Sequence, residues 1–195
     1  CRTFTGYLVM TPSIRDIAYQ LRQGHLIALA DETGWSIVAD PTHDKAVDAL
    51  LTLLPAMPAG LYPTLLIMNT DQLGMYVAKV PDVAYDLVEF AEDPLTVIYE
   101  HGKNVSMRLW TSGNQPAQTP VEVGELAVRR SLNEDVQRLI GSFSRGLLTI
   151  PFESLSLPAS VVGSYAEQYG TLPGVPKRPR ILWLAVNGTI KFIRK

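Results

Sequence analysis

The sequence predicts an α/β fold: a mixed, partly parallel sheet flanked by helices and offering a concave ligand cleft. Segments of helical and strand periodicity alternate along the chain. Pro and Gly mark most of the points where the period changes. A content of 47% hydrophobic residues in 195 is enough to bury one core without disulfides or metals. The expected organisation is one domain over 1–195, with the cleft at strand ends, where ligands of alternating α/β sheets usually bind.

Thr11-Pro12 opens a segment in which Ile14, Ile17, Ala18 and Leu21 recur at helical spacing. Thr11 is the expected N-cap and Gly24 the stop. His25 to Ala30 is an apolar run of strand length, and Asp31-Glu32-Thr33-Gly34 is the polar turn that leaves it. Ala46, Val47, Leu50, Leu51 and Leu54 mark a second helix, which ends in the Pro-rich stretch 55–60. A buried strand follows over 63–69, a helix from Pro81 to Phe90, and a β-branched strand from Leu95 to Tyr99. Residues 101–122 read as an inserted loop around one short strand, Val105 to Trp110. Leu126 to Arg129 is a strand, and Ser131 to Glu134 has capping-box spacing before a helix lined by Val136, Leu139, Ile140 and Phe143. Strands over 147–150 and 181–186, and a hairpin strand over 190–193 after Asn187-Gly188, complete the pattern.

Several chemistries are excluded by absence of their motifs. The chain has no Gly-x-Ser-x-Gly elbow, no Gly-Lys-Ser/Thr phosphate loop and no Gly-x-Gly-x-x-Gly turn. His25, His43 and His101 are scattered, so no protein-built metal site is expected. The one cysteine, Cys1, leaves no disulfide to form within the chain, which fits a reducing, cytoplasmic compartment. Lipid modification of Cys1 is not expected, because no signal-like apolar region accompanies it. No run approaches the roughly 18 apolar residues needed to cross a bilayer, so no membrane partner is expected. Net charge is −2, but the tail is basic: after Glu167 the only charges are Lys177, Arg178, Arg180, Lys191, Arg194 and Lys195. These six are a candidate phosphate-binding patch, with a solvated terminal face as the plainer reading.

The remaining polar residues fall at strand ends in a recognisable order. Gly24 precedes a strand that runs into Ala30-Asp31-Glu32-Thr33-Gly34-Trp35. Phe90-Ala91-Glu92-Asp93-Pro94-Leu95-Thr96 leads into another, and Ala127-Val128-Arg129-Arg130-Ser131 ends a third. Over nearly the whole chain this resembles the YrdC/Sua family of threonylcarbamoyl-adenylate synthases. The family's strand-end Pro-Thr-acid-Thr-x-Tyr-Gly-Leu keeps its acid, second Thr and an aromatic here, and Arg129 matches the family arginine. The family's Lys-x-Arg-Pro is replaced by the cation-free Pro55-Ala56-Met57-Pro58-Ala59-Gly60. Its Ser-Ala-Asn-x-Ser-Gly nucleotide loop corresponds to Phe152-Glu153-Ser154-Leu155-Ser156-Leu157, and its Pro-Ser-Thr to Pro179-Arg180-Ile181.

What the resemblance implies is a YrdC-like twisted sheet with Glu32, Thr33, Trp35, Thr96, Arg129, Ser154 and Ser156 as candidate ligand-binding residues and none assigned as catalytic. The departures suggest a degenerate member: adenylate chemistry needs concentrated positive charge on the phosphates, and here a ring and a carboxylate are expected in the phosphate's path. The partners implied are RNA or tRNA, with Lys177, Arg178, Arg180, Lys191, Arg194 and Lys195 as the candidate RNA-binding residues, or a small polar ligand such as threonine or a nucleotide. One alternative is an active synthase joining threonine, bicarbonate and ATP with Mg²⁺, with compensating cations from Lys103, Arg108 or Arg130. In that reading Thr33 and Arg129 hold the threonine and phosphates. The other alternative is an interaction module using the loop 101–122.

Overall fold

The computed structural model of the chain describes residues 12–111 and 124–195. The expected Thr11 cap, Cys1 and half of the inserted loop lie outside them. Nine strands form one sheet: β1 (Ile27–Asp31), β2 (Gly34–Ala39), β3 (Thr64–Ile67), β4 (Leu95–Tyr99), β5 (Leu126–Arg130), β6 (Leu147–Pro151), β7 (Glu167–Gly170), β8 (Arg180–Leu184) and β9 (Ile190–Arg194), in the order β7-β1-β2-β6-β3-β5-β4-β8-β9. The pairs β1·β7, β3·β5 and β4·β8 are parallel and the other five are antiparallel, the mixed sheet expected.

Alternation along the strands sorts side chains onto two faces. Ala28, Ile37, Leu65, Val97, Val128, Leu148 and Leu182 look into the larger core, beneath α2 (Asp44–Leu51), α3 (Leu73–Tyr76) and α4 (Asp82–Glu89). Their sequence neighbours look the other way. At one end of that second face, Ile27, Leu29, Val38, Leu66 and Leu147 pack under α1 (Ile14–Arg22) and α6 (Glu134–Phe143). At its other end Ile98, Ala127 and Ile181 gather with Leu61. The strip between these two clusters is where the site lies.

Two helix starts differ from expectation. Ser13 caps α1, its hydroxyl accepting from Asp16 N while the Asp16 carboxylate accepts from Ser13 N, so the capping box belongs to this helix. At α6 the cap is Asn133, whose Oδ1 accepts from Asp135 N and Val136 N; Ser131 Oγ accepts from Asn133 N, two residues too early to cap. Asn133 stands immediately before the helix, where its side chain reaches the first free N–H groups directly. His43 caps α2 through Nδ1, accepting from Ala46 N at 3.2 Å, so this histidine has a structural partner.

The expected strand over 105–110 is instead a loop and a short helix, α5 (Arg108–Thr111). Ser106 decides this: its hydroxyl donates to Asp44 and accepts from Arg108 N, starting a helical turn that β-propensity alone does not foresee. Arg108 then pairs with Asp48 on α2, at 3.4 Å. Sequence periodicity also passed over β2 and β7. β2 carries Trp35 and Ile37 toward one face and Ser36 and Val38 toward the other, and a polar hydroxyl at a buried strand position blurred the pattern. β7 is an edge strand whose residues are largely exposed, so its formation depends on pairing with β1 rather than on burial.

Candidate functional site

The register places a row of polar side chains across the uncovered strip. Thr149 on β6 is opposite Thr64 on β3, Arg129 on β5 is opposite Thr96 on β4, and Thr96 is in turn opposite Ile181 on β8. Thr33 from the β1–β2 turn, Tyr62, Pro151, Glu153 and Pro179 close the rim of this cleft, whose enclosed part is about 10 Å³, room for one water molecule, within about 340 Å³ of space that opens to solvent. Thr149 Oγ1 donates to Thr64 O and Thr64 Oγ1 to Tyr62 O, both at 2.8 Å. Thr96, 4% exposed, lines the same cleft.

Arg129 is the centre of the cleft's electrostatics. Its Nη2 donates to Asp31 Oδ2 at 2.7 Å and its Nη1 to Glu32 Oε1 at 2.8 Å, with the guanidinium almost wholly buried. Burial alone would lower the arginine's pKa; the Asp31 and Glu32 carboxylates outweigh it and hold the pKa above the usual value. Thr33 N and Oγ1 both donate to Asp31 Oδ1, and Glu32 Oε1 accepts a second bond from Leu132 N. Glu32 Oε2 is buried and has no partner among the described residues.

The turn that presents these carboxylates depends on Gly34. Its φ of +103° favours glycine, and a Cβ there would lie 2.5 Å from the Ser154 carbonyl oxygen. That close approach lets Trp35 N donate to Ser154 O and Phe152 N donate to Trp35 O, tying the segment after β6 to β2.

The cleft thus brings together Thr33, Thr96 and Arg129 from the expected set, with Glu32 beside them. Trp35 lies elsewhere, half-buried against the larger core on the opposite face. Ser154 Oγ accepts from Ser156 N in a local turn, and neither serine lines the cleft. The ring expected in the phosphate's path is not there: Phe152 turns into the larger core. Glu153 does line the cleft, the residue that the sequence signalled only through a loop resemblance.

The basic tail does not form an unpaired patch. Arg194 makes a bidentate ion pair with Glu153 and Arg178 approaches the same carboxylate at 3.8 Å, while Lys177 lies 3.6 Å from Asp93. Lys195 lies over the Phe192 ring at 6.0 Å; Lys191 and Arg180 are exposed, Arg180 beside an apolar groove between α4 and β9. The compensating cations are also distant from the cleft. Arg130 closes the end of α4, donating to the carbonyls of Val88, Glu89 and Ala91, and Arg108 and the exposed Lys103 do not line the cleft. No group of three metal-ligating side chains occurs among the described residues. No helix among them is long and apolar enough to cross a membrane.

A family model for Sua5/YciO/YrdC domains, described as telomere recombination, matches residues 19–151. Among solved structures, E. coli YciO superposes with a TM-score of 0.70 at 18% identity, covering 93% of this chain and 88% of that one. P. abyssi Sua5 complexed with L-threonine gives 0.63 at 23% identity, over 88% of this chain and 50% of that one, so the chain spans about half the length of Sua5. The solution structure of a Methanobacterium thermoautotrophicum protein gives 0.63 at 13% identity, covering 95% and 87%. No curated protein matches the chain in sequence.

Proposed function

This chain belongs to the Sua5/YciO/YrdC family, and from that premise we propose that it is a degenerate member whose cleft binds a small polar ligand without activating an amino acid on ATP. It is a YrdC-like domain related to the Sua5 tRNA-modification family. The observation that carries the proposal is the state of Arg129, the only cation lining the cleft among the described residues, which already answers two carboxylates. A triphosphate needs several uncompensated cations to hold it and to stabilise pyrophosphate departure. Drawing Arg129 onto phosphate would leave Asp31 and Glu32 buried without their partner, which costs about 3–5 kcal/mol.

The polar groups that remain suit a neutral hydroxyl- or amide-bearing molecule. Thr96 lines the cleft, and Glu32 Oε2, on the residue next to Thr33, is a buried acceptor with no partner among the described residues. L-threonine in the P. abyssi Sua5 structure is a ligand of that protein, and it supplies the first compound to try here.

A role in RNA binding is supported less well. Arg194, Arg178 and Lys177 answer nearby carboxylates, leaving fewer charges to displace counterions from a nucleic-acid backbone.

The test incubates the protein with ATP, threonine, bicarbonate and Mg²⁺ and measures pyrophosphate release beside a relative that bears Lys-x-Arg. Release at less than about one-thousandth of the relative's rate, which corresponds to ~4 kcal/mol of lost transition-state stabilisation, is expected. Turnover comparable with the relative's would defeat the proposal.

A further inference from the structure

Glu153 occupies an unusual position for a glutamate. It follows β6 with φ of +50°, a left-handed conformation uncommon outside glycine, and its side chain is 10% exposed. Its neighbours hold it there: Phe152 is anchored in the larger core, and the Ser154 carbonyl accepts from Trp35 N against Gly34. From this fixed point the carboxylate receives Arg194 end-on, Oε2 accepting from Nη1 at 3.0 Å and Oε1 from Nη2, with Arg178 Nε 3.8 Å away. A planar guanidinium paired in this bidentate way is the arrangement proteins use to grip carboxylates and phosphates.

Arg194 does not rely on Glu153 for its orientation. Nε and Nη2 also donate to Pro179 O, at 2.9 and 2.7 Å, and Pro179 itself lines the cleft. The register keeps Arg194 beside Ile181 at the end of the polar row. Two N–H directions of a fixed guanidinium therefore point at a place now taken by the protein's own carboxylate.

We propose that Glu153 is a built-in anion that fills a guanidinium seat made by Arg194 and Arg178, and so determines that this cleft rejects phosphate-bearing ligands. The inference rests on the reading of the cleft as a non-adenylating ligand site and names the residue that sets its charge selectivity. Removing the carboxylate converts one rim of the cleft into an anion site. Electrostatics at the rim then changes sign: Arg194 and Arg178 lose their shared counter-ion, while Asp31 and Glu32 keep Arg129.

The experiment titrates inorganic pyrophosphate into the wild-type chain, Glu153→Gln and Glu153→Gly by calorimetry, at one fixed ionic strength. Glycine suits the left-handed backbone, so the second variant guards against a loss of fold in the first. Each is checked by thermal melting. Both variants are expected to bind pyrophosphate at least tenfold more tightly than wild type, and adding Arg194→Gln is expected to abolish that gain. Wild-type affinity equal to the variants', no gain in a folded variant, or a gain that survives Arg194→Gln would each overturn the proposal. Wild-type synthase turnover would sink the functional reading instead, so the two failures are separable.

Discussion

Replacing Arg129 with methionine keeps much of the side chain's volume and removes only the fork that joins β5 to the β1–β2 turn. Asp31 is fully buried and Glu32 nearly so, and each loses a charge-assisted bond, at 2.7 and 2.8 Å. Asp31 Oδ1 keeps its two bonds from Thr33, and Glu32 Oε1 keeps Leu132 N, so the loss is partial rather than total. Breaking a buried pair by removing one partner costs about 3–5 kcal/mol. At ~2–4 °C per kcal/mol for a chain of this size, the melting temperature should fall by about 6–20 °C. Urea unfolding of wild type and Arg129→Met, followed by tryptophan fluorescence, measures the loss. A cost below about 1 kcal/mol would refute the argument that Arg129 is an internal counter-ion.

Gly34→Ala should destabilise the fold by about 2 kcal/mol or more, because the added Cβ meets the Ser154 carbonyl at a position where φ is also positive; chemical denaturation with an unchanged midpoint would contradict this. Burial raises the pKa of Tyr99 and of Tyr76, whose hydroxyl accepts from Gly146 N, and burial followed by the Asp135 carboxylate raises that of Tyr169. The stability these phenols contribute is complete below their unfolded value of about 10 and declines as pH climbs through it, since the unfolded chain ionises first. Tyrosinate absorbance should show them titrating only with alkaline unfolding, and their ionisation in a folded chain near pH 10 would count against the burial.

The sequence legibly carried the alternation of elements, since it resides in local pattern: the apolar spacing of Ile17, Ala18 and Leu21, or of Val136, Leu139, Ile140 and Phe143, is the same information that buries those side chains. Motif order also carried the candidate acid, Thr33, Thr96 and Arg129 to the neighbourhood where the sheet assembles them. Local pattern could not say which face of the sheet a strand residue reaches. Trp35 and Phe152 look like cleft residues in the sequence and pack on the far side, because one residue of strand register reverses a side chain's direction. Charge is the deeper case. In sequence nothing pairs Arg129, Arg178 or Arg194 with an acid, and their carboxylates lie 98, 25 and 41 residues away, at Asp31, Glu153 and Glu153. Only folding brings those groups within a few ångströms, where low dielectric makes their pairing decide what the cleft can still bind.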